Sequence, residues 1–342
     1  MESKYTPQNI LITGGCGFIA SHIVNTFVEK YPMYNIVNID KMDECSSMKN
    51  CSVSGNPNYK FVKGDIASAD LVRYILENEK IDTIIHAAAQ SHVDNSFGNS
   101  LSFTQNNVIG THVLLETAKA VGIKRFIHVS TDEVYGSCDS VERTEDSVLD
   151  PSNPYAASKA AAEHIVKGYM NSFQFPAIIT RGNNVYGPGQ YPEKLVPKCI
   201  MRLKAGLPCC IHGDGSNRRH FIHVSDVVSA FDVIMHKGVT GSTYNIGSHD
   251  EFPNLFVATE IIKMLKMPGN AEDHIELVND RAFNDVRYLL SYSKLTALGW
   301  APKVSFHEGL KETIEWYGQH ANQHWGDISH AILPHPINVK FC

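Results

Sequence analysis

No stretch of this 342-residue chain is apolar for long enough to span a bilayer as a helix. The opening residues, Met1-Glu2-Ser3-Lys4-Tyr5, are polar and do not read as a signal peptide, so a cytoplasmic protein is expected. Basic residues are outnumbered. Thirty Lys and Arg against 36 Asp and Glu leave a net charge of −6 and no footprint for nucleic acid. The eight cysteines show no metal-type spacing, and reduced cytosolic thiols fit them better than a disulfide framework. Seventeen histidines are dispersed, none in a His-Glu-x-x-His pattern, so no metal site is expected. What remains is ordinary globular protein, 43% hydrophobic and 19% charged. The length suits one large α/β domain with an appended lobe, or two domains.

Near the N-terminus there is a phosphate-binding turn. Ile10-Leu11-Ile12-Thr13 reads as a short buried strand. Gly14-Gly15-Cys16-Gly17-Phe18-Ile19-Ala20 then opens an amphipathic helix running to about residue 29. Glycines let the backbone turn tightly and approach a pyrophosphate, which meets the free N–H groups of the first helical turn. The spacing is Gly14-x-x-Gly17-x-x-Ala20, with Ala20 as the third small residue. Asp40 closes the next strand, residues 34–39, where a carboxylate would meet the adenosine ribose. An acid there favours a free 2′-hydroxyl, hence NAD over NADP.

Strand and helix patterns alternate through the first half. Strands are expected over residues 59–62, 83–86, 125–129 and 177–180, and helices over 69–78, over 101–120 and from Tyr155. This alternation predicts an α/β fold, a Rossmann-type doubly wound parallel sheet. Ligands bind at the carboxyl ends of such strands, where Gly14, Asp40, Asp65, His86, Ser130 and Arg181 fall. The second half is less regular. A crossing loop is expected over 181–197, and paired strands around Gly213-Asp214-Gly215 within 207–224. Helices follow at 226–236, 254–265 and 306–317, with a strand at 243–246. Two interleaved lobes result: residues 1–182 and 220–250 for the cofactor, and a smaller substrate lobe of 183–219 and 251–342.

Residues 128–159 carry the chemistry. His-Val-Ser-Thr-Asp-Glu-Val-Tyr-Gly ends a buried strand, and Asn-Pro-Tyr-Ala-Ala-Ser-Lys starts a helix. Tyr155 and Lys159 are four apart and share a helix face. The Lys159 ammonium and a positive nicotinamide ring would favour the Tyr155 phenolate as a base at an alcohol. Thr131 would donate to a substrate hydroxyl beside it. Asp132 and Glu133 are adjacent carboxylates, usually a solvated pair. At a cofactor edge, crowding and desolvation can separate their protonation states, leaving one an acid and the other a base. Asn184, Lys198, Arg219, Arg281 and Arg287 are phosphate candidates, since guanidinium groups bind phosphate bidentately.

Together these residues resemble the extended short-chain dehydrogenase/reductases and, more narrowly, the nucleotide-sugar 4,6-dehydratases. The resemblance runs from about Asn9 to Pro336. It rests on TGGCGFIASH, HAAAQSHVDNS (86–96), NNVIGTHVLLE (106–116), VSTDEVYG (129–136) and NPYAASK (153–159). NNVYGPGQYPEKLVPK (183–198), HGDGSNRRHF (212–221) and NDRAFNDVRY (279–288) continue it. The tail HWGDISHAILPHP is similar to the dehydratase domain of plant-type UDP-rhamnose synthases, which act on UDP-glucose. Ala282 departs from the family, which often has Pro there.

The resemblance implies NAD bound by Gly14, Gly17, Phe18, Ile19, Asp40, Lys41, Asp65, Ile66, Ala87, Ala88, Ala89, Asn107, Ser130, Tyr155 and Lys159. It implies a nucleotide sugar bound by Ser91, Asp94, Asn184, Glu193, Lys194, Lys198, Arg219, Asn254, Arg281, Asn284, Arg287 and Tyr288. It also implies that Tyr155 takes the 4-hydroxyl proton, Glu133 the C5 proton, and that Asp132 protonates the leaving 6-hydroxyl. The expected product is UDP-4-keto-6-deoxyglucose, passed to a separate downstream epimerase/reductase toward UDP-rhamnose or another 6-deoxysugar. A homodimer through helix 101–120 and the Tyr155 helix is expected. A dTDP-glucose 4,6-dehydratase, a UDP-sugar 4-epimerase and a catalytically idle NAD-binding interaction protein are the alternatives.

Overall fold

The computed structural model describes residues 5–138 and 140–334. Residues 1–4 and 335–342, including the last two of the tail motif, lie outside it. The first half is β1 (Asn9–Thr13), α1 (Phe18–Lys30), β2 (Asn35–Asp40), β3 (Tyr59–Lys63), α2 (Ala69–Asn78), β4 (Thr83–His86), α3 (Val93–Gly98), α4 (Ser100–Phe103), α5 (Gly110–Val121), β5 (Arg125–Thr131), α6 (Pro154–Phe173) and β6 (Ala177–Gly182). The second half adds β7 (Asn184–Tyr186), α7 (Leu195–Lys204), β8 (Cys209–His212), β9 (Arg218–His223), α8 (Val224–Lys237), β10 (Thr243–Ile246), β11 (Glu251–Pro253), α9 (Asn254–Met264), β12 (Ile275–Val278), α10 (Ser293–Thr296) and α11 (Phe306–His324).

Seven strands form one parallel sheet in the order β10-β6-β5-β4-β1-β2-β3, the expected doubly wound architecture. β1 shows why the strands read as continuous apolar runs. Ile10 and Ile12 enter the core under α1 and α8 with Phe27 and Phe231. Leu11 enters the opposite core with Ile84, Leu114 and Val166. β1 buries both faces, so successive residues are apolar on each side. A third core, with Ile200, Ile261, Leu310 and Tyr317, joins α7, α9 and α11. Among the described residues no helix is long and apolar enough to cross a membrane.

One local expectation is refined and two fail. The helix expected over 101–120 starts at Ser100 and contains a π-helical turn, Thr104–Ile109. That turn holds the buried Asn107, whose amide bridges Gln90 and Ser158. The expected crossing loop 181–197 holds the end of β6, all of β7 and the start of α7. β7 forms because Asn184–Tyr186 pairs in parallel with β9. The expected hairpin around Gly213-Asp214-Gly215 is not one. Both glycines turn the chain at positive φ, +58 and +73, but the flanking strands part. β8 pairs with β12, and β9 with β7 and β11.

Candidate active site

The carboxyl edge of the large sheet opens onto a cleft of about 390 Å³, a volume usual for a small-molecule site. At one end lies the glycine turn. Gly14 has φ +71, and a Cβ on it would lie 2.8 Å from Ala88 Cα. Gly17 begins α1 with no side-chain cap and no acid in the first turn. The first helical N–H groups have no intrahelical partners, which makes this end attractive to an anion. Gly14, Gly17, Phe18 and Ile19 line the cleft, followed by Asp40, Lys41, Asp65, Ile66 and Ala87-Ala88-Ala89. The buried Asp40 carboxylate accepts from Cys16 N (2.9 Å), Met42 N (2.7 Å) and Ser46 Oγ (3.1 Å). A tight glycine turn, a bare helix start and an oriented carboxylate suit a dinucleotide.

The central part of the cleft is built by β5 and α6. Ser130 and Thr131 end β5, and a short turn, Asp132–Tyr135, follows. Asn153 caps α6 by accepting from Ala156 N at 2.9 Å, and Pro154 supplies the first helical position. This start puts Tyr155 and Lys159 in the cleft with Ser130, Thr131, Asp132 and Glu133. The cap has a second task. With its oxygen on Ala156, the Asn153 amide nitrogen donates to Glu133 Oε2 at 3.1 Å. Asn183, just beyond β6, donates to Asp132 Oδ2 at 2.8 Å. Asn153 was legible as a helix start, but its contact with Glu133 was not. Asn183 stood only as the first residue of the 183–198 motif, with no sign of this contact, because both contacts cross between distant elements.

Burial pushes Asp132 up to about 7, against the Asn183 hydrogen bond and with help from the Glu133 charge. Glu133 is also raised by desolvation, which the Asn153 bond opposes. Lys159 is lowered to about 8 by burial, so it keeps most of its charge at neutral pH. In the protein by itself the Tyr155 phenol is raised, by burial and then by Glu133, and its hydrogen bond with Thr131 opposes this. The Lys159 ammonium, one turn further along α6, donates to the Val129 carbonyl at 2.6 Å.

At the far end, Ser91, Asn184, Glu193, Lys194, Arg219, Asn254, Arg281, Asn284 and Tyr288 line the cleft. Arg219 lies over the Tyr288 ring at 4.9 Å and donates to Asn284 Oδ1 at 3.0 Å. Four expected contacts lie behind the lining. Asp94 pairs with Arg281, Nε to Oδ1 2.5 Å. Lys198 donates to the Leu333 carbonyl at 3.2 Å. Arg287 is engaged by Glu251, with Nη2 to Oε2 at 2.9 Å. Asn107 is enclosed under the loop of Gln90. In each case a protein partner turns the side chain away. One His-x-x-x-His does occur, His320 and His324 on α11. His324 is bonded to Asn50 and both rings pack on Trp316, outside the cleft lining.

Fold and site define an extended short-chain dehydrogenase/reductase. The chain belongs to the family described as GDP-mannose 4,6 dehydratase, whose profile matches residues 11–313. A trifunctional UDP-glucose 4,6-dehydratase/UDP-4-keto-6-deoxy-D-glucose 3,5-epimerase/UDP-4-keto-L-rhamnose-reductase of Arabidopsis thaliana is 55% identical over 98% of this chain. The chain spans about half the length of that relative, 50%. A dTDP-D-glucose 4,6-dehydratase of Mus musculus is 47% identical over 98% of this chain and 95% of its own. The crystal structure of a dTDP-glucose 4,6-dehydratase from Streptomyces venezuelae with NAD and TYD bound superposes with a TM-score of 0.88. It is 37% identical and covers 92% of this chain and 98% of its own.

Proposed function

We propose that the chain is a UDP-glucose 4,6-dehydratase that forms UDP-4-keto-6-deoxyglucose, with NAD as a recycled cofactor. One observation carries the reading. Asp132 and Glu133 each have a separate amide donor and share a cleft with Tyr155 and Lys159. Inverting C4 needs only the redox pair, whereas eliminating water also needs an acid and a base. NAD bound along the glycine turn would supply the hydride acceptor for C4, the donor for C6, and a positive ring near Tyr155.

The chain's own groups move the protons. Tyr155 takes the 4-hydroxyl proton, and Thr131 holds that hydroxyl beside it. Lys159 keeps a positive charge behind the phenol. A ketone at C4 acidifies the C5 proton, which Glu133 removes. Asp132, partly protonated near pH 7, gives its proton to the 6-hydroxyl, which leaves as water. A proton then returns to C5. Arg219 and Arg281 serve the diphosphate.

The UDP reading is supported by 55% identity to the Arabidopsis UDP-glucose relative, against 47% to the mouse dTDP relative. The likeness to the Streptomyces structure keeps dTDP-glucose as the second reading. Residues 1–182 and 220–250 would form the cofactor part, and 183–219 and 251–342 the substrate lobe. The same reading makes the protein a cytoplasmic homodimer that supplies an epimerase/reductase. The test is incubation with UDP-glucose and dTDP-glucose separately, followed by mass spectrometry. Loss of water from UDP-glucose without added reductant is expected. A requirement for stoichiometric NADH would overturn the mechanism, and preference for dTDP-glucose would overturn the substrate.

A further inference from the structure

Arg181 on β6 is the largest fully buried side chain among the described residues. Its guanidinium is shared between two elements. Nε donates to Glu163 Oε1 at 3.0 Å and Nη2 to Oε2 at 2.7 Å. Nη1 donates to the Tyr135 hydroxyl at 2.6 Å and to the Glu145 carbonyl at 3.1 Å. The Tyr135 hydroxyl donates onward to Asn245 Oδ1 at 2.8 Å, on β10. The guanidinium also lies 4.7 Å from the centre of the Tyr135 ring.

The placement of these partners gives the cluster its meaning. Glu163 lies on α6, one turn beyond Lys159. Tyr135 closes the short turn that carries Asp132 and Glu133. In sequence the two elements are separated by a long connection, residues 136–153. In space a single cation grips both. Arg181, Glu163 and Tyr135 all stay out of the cleft lining.

We propose that Arg181, Glu163 and Tyr135 are positioning residues that hold the carboxylate pair in register with the redox pair, so that oxidation at C4 leads to elimination instead of inversion. The proposal rests on the dehydratase reading above. Its physical basis is that misplacing a reacting group by about 1 Å can cost on the order of 100-fold in rate. The two half-reactions use groups on different elements, so a shift between α6 and the Asp132–Tyr135 turn slows one half more than the other. A buried ion pair is by itself weak evidence for stability, because apolar replacements of similar volume are often as stable.

The test compares products. Tyr135→Phe keeps the ring and removes the hydroxyl bridge. A second variant, Arg181→Met with Glu163→Leu, removes both charges together and strands neither. Each is incubated with UDP-glucose, and the dehydrated product and the C4-inverted sugar are quantified. Thermal midpoint and NAD affinity are measured alongside. The inversion-to-dehydration ratio is expected to rise about tenfold or more in both variants, with NAD affinity near that of the parent. If every product falls in proportion, or the ratio stays put, the cluster is only structural and the proposal is overturned. If the parent protein loses no water from either nucleotide glucose, the dehydratase reading falls and takes this one with it.

Discussion

Asn183 donates a 2.8 Å hydrogen bond to Asp132 in a place where both side chains are almost wholly buried. The amide is a donor aimed at a carboxyl whose ionisation burial opposes. It therefore limits how far burial raises Asp132. Asn183→Leu keeps the bulk and removes the donor. A hydrogen bond to a charged group is worth about 1.5–3 kcal/mol, so Asp132 should rise by roughly one to two further units. The alkaline limb of the elimination pH profile should move up with it, while kcat falls. An unmoved limb would take Asp132 out of the acid role.

Asp132 also makes stability depend on pH. Its ordinary value is 3.8 and its folded value about 7. Between these pH values the unfolded chain has released the proton and the folded chain retains it. Stability therefore falls as pH rises through this window and levels off above it. Asp132→Asn removes the dependence. It should be more stable than the parent at pH 7.5, by at most about 4 kcal/mol, and little changed at pH 4. Thermal midpoints at the two pH values check this. Equal midpoints for parent and variant at pH 7.5 would show that Asp132 is ionised without penalty.

The carboxylates and the phenol should separate by isotope exchange. Tyr155→Phe should abolish both turnover and entry of solvent deuterium at C5, since no ketone forms. Glu133→Gln preserves volume and removes the C5 base. Turnover should drop by about 10²–10⁴, with C5 exchange lost. Asp132→Asn should slow water loss more than C5 exchange. Full activity in Glu133→Gln would reverse the roles given to the pair.

The cofactor end is testable by binding alone. Cys16 N meets one Asp40 oxygen and Met42 N the other, so Asp40→Asn removes the charge and keeps an oxygen for only one of them. That variant should bind NAD roughly tenfold more weakly, a loss of about 1.4 kcal/mol, and prefer it less over NADP. Titration calorimetry gives both affinities. Tighter binding of NADP than NAD by the parent would undo the role of Asp40. Gly14→Ala should lose NAD binding more completely, because its Cβ would press on Ala88 at a positive φ.

Local signals read well in this chain. Residues 69–78, 83–86 and 243–246 take the structure expected of them, with the same limits. Periodicity, turn residues and capping act over a few neighbours, so the sequence alone specified the glycine turn, the strand before Thr131 and the capped start of α6. Long-range pairing is different. Gly213-Asp214-Gly215 marks a turn, but nothing within it announces that β8 will pair with Ile275–Val278. Likewise, sequence identified Arg287 and Lys198 as cations without showing that Glu251 and the Leu333 carbonyl already hold them. The sequence by itself determined which chemical groups stand at the carboxyl edge of the sheet. Only the tertiary structure decided which amide faces which carboxylate, and so which of them keeps its proton. Burial and hydrogen-bond partners set protonation, and both are properties of packing between distant segments.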